Sequence, residues 1–196
     1  MATQRLAPLG GGAKRWLALL ALTASPTAAQ TTDAIAGVPG VAFRFYTVEG
    51  VDGPSLRQSL DAAGLTDPHG GKAVDAGTYW SIRWRWAARR HGGCDLRHAR
   101  VTFRATVTLP RLAAGATLPP PVEEAWSRYT AALERHEAGH VRYAYDHRGD
   151  VLAAIRGATC RTADRSARAA LAAIEAHDVG YDRDTQHGLT QGATFP

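Results

Sequence analysis

Residues 122–155 read VEEAWSRYTAALERHEAGHVRYAYDHRGDVLAAI, and the reading of this stretch decides the fold. Trp126, Tyr129, Leu133, His136, His140, Ala144, Val151 and Ile155 recur at spacings near 3.6, the period of a helix with one buried face. Pro119-Pro120-Pro121 breaks the chain in front of it and Gly157 stands at its end, so one long helix is expected from about 122 to 155. Upstream the period changes to two. Val41, Phe43 and Phe45 alternate with Ala42, Arg44 and Tyr46. Trp80, Ile82, Trp84 and Trp86 point one way while Tyr79, Ser81, Arg83 and Arg85 point the other. Val101, Phe103, Ala105, Val107 and Leu109 do the same against Arg100, Thr102, Arg104, Thr106 and Thr108. Such alternation predicts an antiparallel sheet covered on one side, with the tryptophan stripe in the core.

Downstream of the long helix, Thr162 can cap a second one with Ala167, Leu171 and Ile174 on its apolar face and Gly180 at its C-terminal end. Between the first two strands, residues 55–63 suit a short helix ended by Gly64, with Ser55 near its N-cap. Strands followed by helices make the fold class α+β: a small antiparallel sheet packed against the long helix and a C-terminal helix, a zincin-like arrangement.

The long helix carries His136-Glu137-Ala138-Gly139-His140. Residues four apart lie about 40° apart around a helix and about 6 Å apart along it. His136 and His140 can therefore offer imidazole nitrogens to one ion, and zinc suits that donor type. Glu137 lies beside them and is placed to hold a water and take its proton as general base. A purely structural metal site has no need of that glutamate. Gly139 costs about 1 kcal/mol relative to alanine inside a helix, which is explained if another segment approaches the backbone there.

A catalytic zinc usually has a third protein ligand. The segment Tyr181-Asp182-Arg183-Asp184-Thr185-Gln186-His187-Gly188 follows the second helix, which can return it to the motif. His187 is the expected ligand and Asp182 the second choice. His147 sits on the motif's own helical face but about 10 Å along the axis, and serves only if the helix breaks near Gly149. Tyr181 is placed either to pack or to donate to an oxyanion. His69, His91, His98 and His177 have no such arrangement and are expected at the surface.

The N-terminus bounds the setting. Arg5, Lys14 and Arg15 precede the apolar run WLALLALT at 16–23 and the small residues Thr27-Ala28-Ala29, the order of a secretory signal peptide over residues 1–29. Residues 30–196 then form a single domain. Of the formal charge of +5, three come from Arg5, Lys14 and Arg15. The remaining basic residues are scattered along the sequence, which argues against nucleic acid as a partner. No other apolar run suits stable membrane insertion. The location expected is secreted or periplasmic, and Cys94 and Cys160, the two cysteines of the chain, are expected to form a disulfide there.

Taken together, these residues resemble a family of bacterial secreted proteins of undetermined function, described as zinc-dependent proteases. The likeness includes Val48-Glu49-Gly50, Thr78-Tyr79-Trp80, Cys94, Leu109-Pro110, Trp126 and HEAGH at 136–140. It continues through Tyr181-Asp182, Thr185, His187-Gly188 and Gln191-Gly192-Ala193, the tail being its most specific part. The expected activity is hydrolysis of peptide bonds in a peptide or protein substrate. The alternatives are a zinc amidase acting on cell-wall peptide and a non-catalytic metal-binding or scaffold protein of the envelope.

Overall fold

The computed structural model describes residue 35 and residues 37–67, 70–90 and 92–196. The leader expected over residues 1–29, His69 and His91 lie outside the described residues. The elements follow in the order β1 (Val41–Val48), α1 (Gly53–Ala62), β2 (Gly77–Ala88), β3 (Cys94–Leu112), α2 (Pro120–Arg156) and α3 (Ala163–Thr185), with a 3₁₀ turn at Leu189–Gln191. This is a mixed α+β fold with a small three-stranded sheet.

The strands fall where the alternation placed them, but their pairing corrects the expected antiparallel sheet. The sheet order is β1-β3-β2. β2 and β3 form an antiparallel hairpin through Gly92-Gly93, with Trp80 opposite Ala105 and Trp84 opposite Val101. β1 lies parallel to β3, Val41 opposite Ala105 and Phe45 opposite Leu109. Alternation fixes which face of a strand is buried; it carries no information on the direction of its neighbour. β3 is also longer than its clean alternation, because a shift in register between Arg85 and Ala87 interrupts the period where β3 begins.

One sheet face meets the helices. Phe103, Ala105, Val107 and Leu109 of β3 are buried, and Tyr129, Val141, Val151 and Ile155 of α2 are at most 1% exposed. Side chains of this size each contribute about 1.5–3 kcal/mol by leaving water. The tryptophan stripe belongs to this layer and also tethers α3. Trp80 and Trp84 are half-buried against the core. Their indole N–H groups donate to Asp178 Oδ2 and Asp164 Oδ1, each at 2.9 Å.

At α1 the cap is Asp52, whose Oδ1 accepts from the Ser55 amide at 2.9 Å. Ser55 is thus three residues into the helix motif. α2 runs unbroken through Gly149 to Arg156, which removes the bend that His147 needed to reach the motif. α3 also runs through its glycine: it ends at Thr185, not at Gly180. The two helices form an antiparallel hairpin, and the Cys94–Cys160 disulfide fastens its turn to the start of β3. Among the described residues, no helix is long and apolar enough to cross a membrane.

Candidate metal centre

His136 and His140 face α3 from consecutive turns of α2, and Asp178 and Asp182 face α2 from consecutive turns of α3. Both pairs are four residues apart, so each lies on one stripe of its helix. His136 Nε2 and His140 Nε2 stand 3.2 Å apart. Asp182 Oδ1 lies 3.1 Å from the first and 3.0 Å from the second. The three residues form a group able to hold a metal ion.

The outer sides of the two rings fix their tautomers. His140 Nδ1 donates to Asp178 Oδ1 at 2.7 Å, and Asp178 is held in turn by Trp80. His136 Nδ1 donates to Gln191 Oε1 at 3.0 Å, and Gln191 Nε2 donates to the Tyr181 hydroxyl at 2.9 Å. With both Nδ1 atoms protonated, both Nε2 atoms are left with lone pairs. With both rings neutral, two such nitrogens and a carboxylate oxygen converge with no hydrogen among them, an arrangement that is repulsive until a ring proton or a metal ion fills its centre. Ligands bound tetrahedrally at about 2.1 Å stand about 3.4 Å apart, close to the observed triangle, and outer acceptors on metal-binding histidines are the usual way of orienting them. The donor set therefore fits a metal ion.

Protons show the same demand. Burial disfavours a charged His140, but its bonds to Asp178 and Asp182 outweigh burial and push the ring up to about 10. Burial likewise raises Asp182, yet the hydrogen bonds of His136 and His140 dominate and hold its carboxyl far below the usual carboxylate range.

Glu137 is 3% exposed and faces the sheet. Its Oε2 accepts from Thr78 Oγ1 of β2 at 2.7 Å. Burial pushes its carboxyl up, opposed in part by the neighbouring histidines and by Thr78. Glu137, His136, His140 and Asp182 all line one cleft of about 600 Å³, with residues 72–78 along another side.

The close approach expected at Gly139 is made by Tyr181. A β-carbon on residue 139 would lie 2.7 Å from Tyr181 Cζ. The tyrosine ring stacks on His136 with centroids 5.0 Å apart and its hydroxyl bonds Gln191, so it supports the ligand ring. Gly188, at φ +86°, passes under His136; a β-carbon there would meet its Cγ at 3.1 Å.

His187 lies beside the triangle. Its Nδ1 is 3.5 Å from Asp182 Oδ1, its amide donates to the Asp182 carbonyl at 2.9 Å, and its ring lines the cleft. His187 and Gln186 both have left-handed backbones, at φ 54° and 52°, an uncommon state for residues with side chains. His147 is engaged elsewhere, bonded to Asp150 at 2.7 Å. His98 is exposed and bonds Asp95, and His177 is exposed and stacked on Tyr143. Asp178, Gln191, Thr78 and Trp80 are functional neighbours that the motif alone does not reveal. An Asp178/Asp182 pair at helical spacing was the available signal for the first of them.

The fold and this centre define a class: an α+β protein whose helical hairpin carries a two-histidine, one-aspartate group able to hold a metal ion. The chain belongs to the family described as bacterial protein of unknown function (DUF922), whose model matches residues 43–188. No curated protein and no solved structure matches the chain.

Proposed function

We propose that the protein is an exported zinc-dependent peptidase in which His136, His140 and Asp182 hold the metal and Glu137 is the general base. The observation that carries this reading is the convergence of three lone-pair donors beside a buried glutamate that is not one of them. Asp182 replaces His187 in the ligand set because its oxygen completes the triangle, while His187 is left facing the cleft.

Zinc bound there supplies Lewis acidity and a water acidic enough to be deprotonated near neutral pH. Glu137 holds that proton on Oε1, since Thr78 occupies Oε2, and delivers it to the leaving amine. Glu137 would be favoured as a carboxylate, against its burial, by a dication held by His136, His140 and Asp182. His187 is placed to donate an N–H to the carbonyl under attack. β2 is an edge strand, and its first residues, Gly77 and Thr78, line the cleft together with the segment that leads into them. A substrate peptide can pair along it as an added strand. The Cys94–Cys160 bond is in keeping with an oxidising compartment.

The test is metal analysis of protein purified without chelator, joined to turnover of a peptide library and of cell-wall peptides. About one zinc per chain is expected. Glu137→Gln should retain the metal and lose turnover by on the order of a thousandfold. Stoichiometric zinc with no hydrolysis of either substrate set would leave a metal-binding protein without this chemistry.

A further inference from the structure

The sheet has a second face, and its composition is unlike that of the rest of the molecule. Arg83 and Arg85 of β2, Arg100 and Arg104 of β3 and Arg44 of β1 all stand on it and are exposed. Arg85 is directly opposite Arg100, and Arg83 is opposite Thr102, diagonal to both Arg100 and Arg104. Among the described residues none of these five forms an ion pair with an acid. The three strands together contain one acidic residue, Asp95, and it is engaged by His98 and Arg89. Like charges directly across a ladder destabilise it. Four guanidinium groups thus crowd a patch roughly 15 Å across, with no counter-charge built in.

Sequence spacing conceals this patch. Arg83 and Arg100 are distant along the chain, and the hairpin register brings them together. Hydroxyls fill much of the rest of the face, Ser81, Thr102, Thr106 and Thr108, together with Ala42, the half-buried Tyr46 and Tyr79, which is 69% exposed. The face is the outside of a sheet, and the cleft described above lies on the helix side of β2. Polyanionic chains such as nucleic acids are usually held in a groove with several stacking aromatics; this face offers one exposed tyrosine. A broad array of cations with an exposed tyrosine suits instead the headgroup layer of an anionic membrane, where tyrosine is enriched and basic side chains add in small equal steps.

We infer that the arginine face of the sheet docks the protein on anionic lipid bilayers, without insertion, and does so independently of the metal centre.

Co-sedimentation of the full-length chain with vesicles tests this. Binding is expected to phosphatidylglycerol mixed with phosphatidylcholine and not to phosphatidylcholine alone, and to be lost at high salt. Arg83→Gln or Arg100→Gln should each weaken partitioning about fivefold. The fourfold variant Arg83→Gln/Arg85→Gln/Arg100→Gln/Arg104→Gln should lower it on the order of a hundredfold or more. A control carries the same charge change on the helical hairpin, Arg128→Gln/Arg156→Gln/Arg161→Gln/Arg165→Gln, and should retain most of the binding. The single variants carry the test if the fourfold one does not fold. Equal losses in the two fourfold variants would overturn the proposal, as would capture by heparin or DNA without vesicle binding.

Discussion

Two polar clusters lie along α2, about 10 Å apart, and they are built on opposite principles. The first surrounds Asp75. Arg57 donates through Nη1 to Oδ2 at 2.7 Å and through Nη2 to Oδ1 at 2.5 Å, Tyr129 donates to Oδ2 at 2.5 Å, and Tyr46 donates to the Asp75 carbonyl at 2.7 Å. Arg57 also donates through Nε to Asp61 at 2.9 Å, so one cation serves two carboxylates and each of these donors has an acceptor. The second surrounds His136 and His140. It gathers the carboxyls of Glu137, Asp178 and Asp182 around two rings whose inward nitrogens have nothing to bond but each other and Asp182. The first cluster closes on itself and pins the segment leading into β2. The second closes only when a cation joins it.

Substitutions should separate the two kinds of cluster. The largest effect is expected at the triangle itself: Asp182→Asn should weaken zinc binding on the order of a hundredfold or more, read by competition with a chelator. His187→Ala should change that affinity little. Equal losses for the two variants would return His187 to the ligand set. One bond further out, Asp178→Asn should cost between about tenfold and a hundredfold in affinity, with the fold intact by circular dichroism. In the closed cluster, Asp75→Asn should leave zinc affinity alone and destabilise the fold by about 2 kcal/mol, a figure moderated by partial exposure of the pair. Denaturant unfolding measures it.

The pH dependence should run in opposite directions. Burial raises the Asp75 carboxyl, but Arg57 and Tyr129 outweigh burial and hold it below its ordinary value. Its stabilising contribution is therefore present above the unfolded-state value near 4 and is lost as pH falls through the folded one. His140 in the metal-free centre is shifted upward, so its contribution is full below about 6.5 and lost as pH rises toward about 10. Chelated protein should accordingly lose stability in mild alkali, and zinc should remove that loss. Identical alkaline profiles with and without zinc would show that the second cluster needs no cation.

Much of this was open to reading in the sequence, and the misreadings have physical causes. Helical periodicity marked α2, and the even pair of cysteines marked the disulfide. Gly180 was read as a helix end because glycine disfavours helix interiors by about 1 kcal/mol. Packing of α3 against α2 overrides that cost, and the helix carries Asp178 and Asp182 to the centre as a matched pair. Reading the tail as a loop favoured His187 as the third ligand, whereas the helix brings Asp182 to the two rings and leaves His187 beside it. The parallel direction of β1 and the arginine face were hidden for one shared reason: both are properties of pairing between strands, which no single strand's pattern contains.

The matched spacing on α2 and α3 works as a lock with one position. If α3 slid along α2 by a single turn, about 5.4 Å, Asp178 would come to His136, and Ile174, a buried hydrocarbon, would stand opposite His140. That setting offers oxygen to only one of the two rings. The disulfide holds the Cys160 end of the hairpin within 5.6 Å, Cα to Cα, of β3. A crosslink at the far end of the hairpin thus anchors to the sheet the turn from which both helices, and the histidine and aspartate stripes they carry, set out.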